Sequence, residues 1–292
     1  IQIDLLFIAS GFLMPVCSCW KKMIRCYKLK RVILLTDDDS SPDINSDDSS
    51  HDEDAEKFKT DSSQGTTSKK IQGLHSGEQL EFSFEAYNED IFICGSKNSG
   101  KSYLANTLMK SLNGVSVWVY DFNSQFHSSR AMVFHDLSEM LKVYDGAKRG
   151  HYILQPHIND ENTFRRFCSE GFKRGNLVLI MDEIHTWLTK QKQNKEFNTI
   201  ILSGRPRGIS CVSISSRPAS CPNHVLSNTK HVFAFKLNLE SDLKFLEGYL
   251  GRDVWIVMPK DKRHHLQDEE ELPEHTFFYR DMDKTQGVTG KV

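Results

Sequence analysis

The run from Gly95 to Ser102 has the residue types and the spacing to grip phosphate. It reads G-S-K-N-S-G-K-S and meets G-x-x-x-x-G-K-[ST] at every fixed position. Each fixed type has a chemical reason. Gly95 and Gly100 let the backbone wrap closely around an anion, with Ser96, Lys97, Asn98 and Ser99 turning their N–H groups inward. Lys101 brings an ammonium to the β- and γ-phosphates of a nucleotide, the Ser102 hydroxyl is a ligand for Mg²⁺, and Tyr103 continues the helix whose N-terminus faces the negative charge. ATP with Mg²⁺ is therefore the expected cofactor pair. A glycine-rich turn carrying Lys and Ser by accident is the competing reading. The apolar run DIFIC before it and the helical YLANTLMKSL after it argue against that.

A second constellation lies downstream in NLVLIMDEIHTWL, where an apolar strand ends in Asp182 and Glu183. A carboxylate at the carboxyl end of a core strand can hold Mg²⁺ through water, which is the role expected of Asp182. Glu183 beside it is the candidate general base that orients and deprotonates an attacking water. Alone, any strand can end in an acidic turn; with the phosphate loop upstream, the pair points to hydrolysis rather than phosphate transfer to a small acceptor. His185 and Trp187 on the same segment read as packing and surface contacts.

These groups need a scaffold that brings separate strand ends together. Short β-branched runs predict strands at Asp90–Cys94, Val115–Tyr120, His151–Leu154, Leu177–Met181, Ile209–Ile214 and His231–Phe235. Helical periodicity predicts helices at Lys101–Leu112, Asn162–Phe172, Phe197–Ser203 and Ser241–Leu250. Strand–helix alternation implies an α/β fold, a mostly parallel central sheet with helices on both faces.

The chain divides by composition. Residues 1–35 form an apolar and basic leader, too short in its apolar run to span a bilayer as a helix, and its alternative reading is a membrane contact through residues 1–31. Residues 36–70, rich in Asp, Ser and Thr, cannot bury enough apolar surface to offset ordering, so they read as a disordered acidic linker. Residues 71–292 are left as the nucleotide-binding domain. The net charge of −2 decides nothing about partners, because a basic stripe facing DNA would be local. Seven cysteines without paired metal or disulfide spacing suit a reducing, intracellular setting. The His264–His265 pair invites a metal reading, but adjacent residues point apart and no further ligand closes the set, so it reads as solvated.

The segment GRPRGISCVSISSRP, followed by P-N-H-V-L-S-N and FAFK, resembles the region after the acidic motif in the FtsK–HerA superfamily of DNA-translocating ATPases. VWVYDFNSQF looks like that superfamily's second strand, which ends in Asp and a short loop with an acidic or amide residue and an aromatic. The resemblance runs from about Glu89 to Gly251, and is most similar to the poxvirus-type genome-packaging ATPases of viruses and related large DNA transposons. It implies a RecA/FtsK-like P-loop fold, a ring homo-oligomer, double-stranded DNA as substrate, and a capsid protein as a further partner. A location in host cytoplasm, nucleus or virion follows from it. It also implies a γ-phosphate sensor at Ser216, where the superfamily has Gln or Asn, and an arginine acting on a neighbour's nucleotide. Arg205 and Arg207 are the favoured candidates, with Arg217 a third. The alternatives are another P-loop NTPase, such as a helicase loader, a conjugation-type coupling ATPase or a signalling NTPase, and a non-hydrolysing nucleotide-gated scaffold.

Overall fold

The computed structural model describes residues 79–158, 160–259, 273–284 and 286–292, with the strand positions 31–32 and 69–72. Most of the leader and linker, and the His264–His265 pair, lie outside the described residues.

The apolar runs become strands, buried on both faces in the middle of the sheet and partly exposed at its two edges. They are β1 (Ile91–Cys94), β2 (Ser116–Tyr120), β3 (Ala131–Phe134), β4 (Gly150–Leu154), β5 (Leu177–Met181), β6 (Ile209–Ser215), β7 (His231–Phe235), β8 (Thr276–Asp281) and β9 (Val288–Lys291). They form a 9-stranded sheet in the order β9-β8-β7-β1-β6-β5-β2-β4-β3. β1 to β7 pair parallel with their neighbours, while β7–β8 and β8–β9 are antiparallel. The fold is α/β, as expected.

The period of two along each strand divides the core into two layers. Ile91, Ile93, Val117, Val119, Val178 and Ile180 pack with Leu104, Ala105, Leu108 and Met109 of helix α1 (Lys101–Ser111). Phe92, Cys94, Trp118, Tyr120, Leu179 and Met181 face the other way. That second layer is covered by α2 (Leu137–Ala147), α3 (Glu161–Arg174), α4 (Lys195–Ser203) and α6 (Glu240–Leu250); the short α5 (Asn223–Ser227) joins it through Val225 and Leu226. Aromatic rings carry much of this layer: Trp187 stacks on Phe164 with centroids 4.9 Å apart, and Tyr120 meets Phe164 edge-on at 5.1 Å. Trp187 is thus a packing residue, as the sequence suggested.

Caps set the helix starts. The Asp136 carboxylate accepts from Ser138 and Glu139 N–H to start α2, Asp160 accepts from Thr163 N–H to start α3, and Asn194 accepts from Phe197 N–H to start α4. Helix α1 instead begins at Gly100, whose φ of 110° offers no side chain to cap the first turn. The strands β3, β8 and β9 and the helix α2 were not among the sequence expectations. Among the described residues, no helix is long and apolar enough to cross a membrane.

Candidate nucleotide site

The loop after β1 turns at Gly95 (φ 155°), Asn98 (φ 63°) and Gly100 (φ 110°). Space as well as φ demands glycine here. A Cβ on Gly95 would stand 2.6 Å from both Phe235 Cβ and Ser99 Oγ, and one on Gly100 would stand 2.9 Å from Phe235 Cε1. The loop is tied to neighbouring strands by Gly95 N–H donating to Ser215 O (3.3 Å) and Ser96 N–H donating to Lys236 O (2.7 Å). Lys101 is buried and folds back to donate to Ser96 O at 2.8 Å. Burial lowers its pKa, against the opposing pull of the Glu183 and Asp182 carboxylates.

Because β1, β5 and β6 run parallel and adjacent, their carboxyl ends deliver Asp182, Glu183 and Ser216 to the same edge as this loop. Glu183 adopts a left-handed conformation (φ 47°, ψ 51°) and starts a 3-10 turn, Ile184–Thr186. Its Oε2 accepts from Ser216 N–H (3.1 Å) and Ser216 Oγ–H (3.0 Å), and lies 3.1 Å from His185 Nδ1. Among the described residues no hydrogen bond falls on Oε1. Burial pushes the Glu183 pKa up, but the His185 and Ser216 contacts and the charge of Lys101 together hold it below its usual value. Asp182 is the reverse case: burial first, then the neighbouring Glu183 charge, push its pKa up to about 6.

Of these groups, Lys101 and Glu183 line a cavity of about 620 Å³, whose wall includes the phosphate loop from Lys97 to Ser102, Tyr103 and Gln125. His275 and Val292, brought in by the β8–β9 hairpin, close its far side. The donor set fits a nucleoside triphosphate with Mg²⁺. Ser99 Oγ is buried in the loop with no hydrogen-bond partner, an orphaned polar atom of the kind a phosphate oxygen satisfies. Ser102 Oγ and the Asp182 carboxylate are oxygen donors of the type Mg²⁺ prefers.

Arg205 and Arg207 sit elsewhere. They precede β6 in a 3-10 turn at the amino-terminal edge of the sheet, the end where Ile209 pairs with Leu177. Arg207 donates to Phe172 O (2.6 Å) and Lys173 O (2.7 Å) at the end of α3 and lies over the Phe172 ring at 4.8 Å. Arg205 is exposed and donates to Asn228 O at 2.9 Å. Arg217 follows Ser216 and pairs with the buried Asp242 at 3.2 Å. The sequence reading missed Gln125, Asn123, His275 and Val292, and it gave His185 only a packing and surface contact, whereas His185 touches Glu183. Only the DEIH spacing hinted at that contact.

No protein-family model and no curated protein matches the sequence. Solved structures do. The genome packaging NTPase B204 from Sulfolobus turreted icosahedral virus 2, in complex with AMPPCP, is 18% identical, superposes with a TM-score of 0.53, and covers 70% of this chain and 98% of its own. The chain has the fold of a viral genome-packaging NTPase. The ATP-gammaS complex of the same protein gives a TM-score of 0.54 at 18% identity, over 70% of this chain and 97% of the other. B204 from Sulfolobus turreted icosahedral virus, described as a DNA-packaging ATPase, gives 0.51 at 19% identity, over 70% of this chain and 97% of its own.

Proposed function

We propose that this protein is an ATP-hydrolysing, double-stranded-DNA translocase that packages a viral or virus-like genome. The observation that carries the reading is the convergence of Lys101, Ser102, Asp182, Glu183 and Ser216 on one strand-end edge, in a fold shared with packaging NTPases.

Lys101 would hold the β- and γ-phosphates, and Ser99 would satisfy its hydroxyl on a phosphate oxygen. Ser102 and Asp182 would hold Mg²⁺, which when bound neutralises charge on the phosphate oxygens. Glu183 keeps Oε2 on Ser216 and His185, so Oε1 is the atom left to take the proton of a water. Ser216, with its N–H and hydroxyl spent on Glu183, acts through the base. An arginine from a neighbouring subunit in a ring would complete the site. Arg205 is the better candidate, because Arg207 already spends its guanidinium on the end of α3. A capsid protein is the expected docking partner.

The test is the ATPase rate of the full chain with and without long double-stranded DNA, beside Glu183→Gln. Stimulation by duplex DNA and a fall of roughly 10²-fold or more in the variant are expected. Hydrolysis indifferent to DNA would instead favour a P-loop NTPase that moves no DNA, and ATP binding without hydrolysis would favour a nucleotide-gated scaffold.

A further inference from the structure

β2 ends at Tyr120, and the six residues after it form a short irregular loop. Its shape is dictated by Asp121, which is fully buried. Asp121 Oδ1 accepts from Gln125 N–H at 3.0 Å, and Oδ2 accepts from Phe126 N–H and Gln155 Nε2, each at 2.9 Å. A carboxylate closing on N–H groups four and five residues ahead fixes the backbone between them, and the buried Phe126 anchors the far end.

The clamped loop holds out two amide side chains. Asn123 Nδ2 donates to Asp182 Oδ2 at 3.3 Å, and Gln125 Oε1 accepts the Ser102 hydroxyl proton. Both amides are exposed, so water could satisfy either of them and folding does not require these bonds. Their chemical sense matches what a cation site needs. A hydroxyl that has given its proton to Gln125 turns its lone pairs elsewhere, and a carboxylate that accepts from Asn123 on one oxygen keeps the other available.

We propose that the loop from Asp121 to Phe126 is the outer layer of the divalent-cation site, with Gln125 as the positioning residue for Ser102 and Asn123 for Asp182. This rests on the reading of Ser102 and Asp182 as the Mg²⁺ holders. Asp121 shapes the loop, Gln125 aims the hydroxyl and Asn123 aims the carboxylate. Of the three, Gln125 alone also lines the candidate nucleotide cavity, beside Ser102.

The experiment is equilibrium binding of a fluorescent, non-hydrolysable ATP analogue to the full chain, in Mg²⁺ and in EDTA. In the unmodified chain Mg²⁺ is expected to tighten binding. Gln125→Ala is expected to lose roughly 10-fold or more of that gain, the usual scale for an outer-layer ligand partner, because binding in Mg²⁺ weakens by that much more than binding in EDTA. Asn123→Ala should lose part of the gain in the same way. Gln125→Glu, which keeps an acceptor and has no donor, should retain it. Ser102→Ala separates the two levels of the argument. If it loses the Mg²⁺ gain while Gln125→Ala and Asn123→Ala keep it, the loop has no such role. If Ser102→Ala keeps the gain, the reading of the cation site falls and this proposal falls with it. Equal weakening of Gln125→Ala in Mg²⁺ and EDTA would make Gln125 structural and overturn the assignment.

Discussion

Three donors converge on Glu183 Oε2, two of them from Ser216 and one from His185. That arrangement aims the carboxylate and leaves its other oxygen to work. Removing a donor should therefore loosen the base without disturbing the phosphate loop, so the cost belongs in kcat rather than in KM. Ser216→Ala keeps the backbone N–H and should lower kcat by about 3-fold to 10-fold; His185→Ala should do the same, and the double variant should fall further. Steady-state ATPase rates over a range of ATP concentrations check this. If KM rises while kcat holds, these residues contact nucleotide and do not position the base. The short Ser216 side chain has reach enough for a carboxylate on the adjacent strand end.

At the scale of elements, the opposite edge of the sheet carries a buried carboxylate and an arginine that caps a helix end. Asp90, at the start of β1, is buried and accepts Cys211 N–H at 2.7 Å, and burial pushes its pKa up to about 6 from 3.8. The folded state thus holds this proton more tightly than the unfolded chain. The contribution favours the fold at low pH and is lost as pH rises through about 6. Asp90→Asn keeps an acceptor for Cys211 and cannot ionise. Relative to the unmodified protein, it should gain stability between pH 5 and pH 8, on the order of 2 kcal/mol, read from urea unfolding at both pH values. A gain that does not grow with pH would mean that Asp90 is not destabilised by burial. On the same edge, Arg207→Ala strips two carbonyls at the end of α3 of their donor and should lower the melting temperature by about 2–4 °C. An unchanged melting temperature would return Arg207 to the set of free arginines.

The same elements show what was legible. β5 and β7 run over the predicted residues because a strand buried on both faces is one unbroken apolar run. β3 was invisible because it is an edge strand with Met132 and Val133 exposed, and β9 because VTGK carries a glycine and alternates weakly. Helix α2 was legible in principle: Asp136 is a good cap, and Leu137, Met140 and Tyr144 share a buried face. In the site, Lys101, Ser102, Asp182 and Glu183 were readable because local sequence makes each strand end. Asn123 and Asp182 meet only because β2 lies beside β5, a fact of strand order that no local pattern carries.

At the scale of the whole molecule, the remaining question is how one subunit's site is completed. Every candidate for the base, cation and phosphate contacts lies on one edge of the sheet, while Arg205 projects from the other with a single carbonyl contact. Arg205 therefore lies too far round the sheet to reach the cavity of its own chain. In the proposed ring, the amino-terminal edge of one subunit would face the strand ends of the next and bring Arg205 to its neighbour's site. Mixing tests it. Arg205→Ala subunits have a complete strand-end edge and no donated arginine; Glu183→Gln subunits donate Arg205 and have no base. Each alone should hydrolyse ATP at least roughly 10²-fold more slowly than the unmodified protein. Mixed in equal amounts, interfaces at which a Glu183→Gln subunit donates Arg205 to an Arg205→Ala subunit regain both groups, while those in the reverse order lack both, and the rate with duplex DNA should exceed the sum of the separate rates several-fold. A purely additive mixture from subunits shown to co-assemble would place the completing arginine elsewhere, with Arg217, already at the strand-end edge and paired with Asp242, next in line.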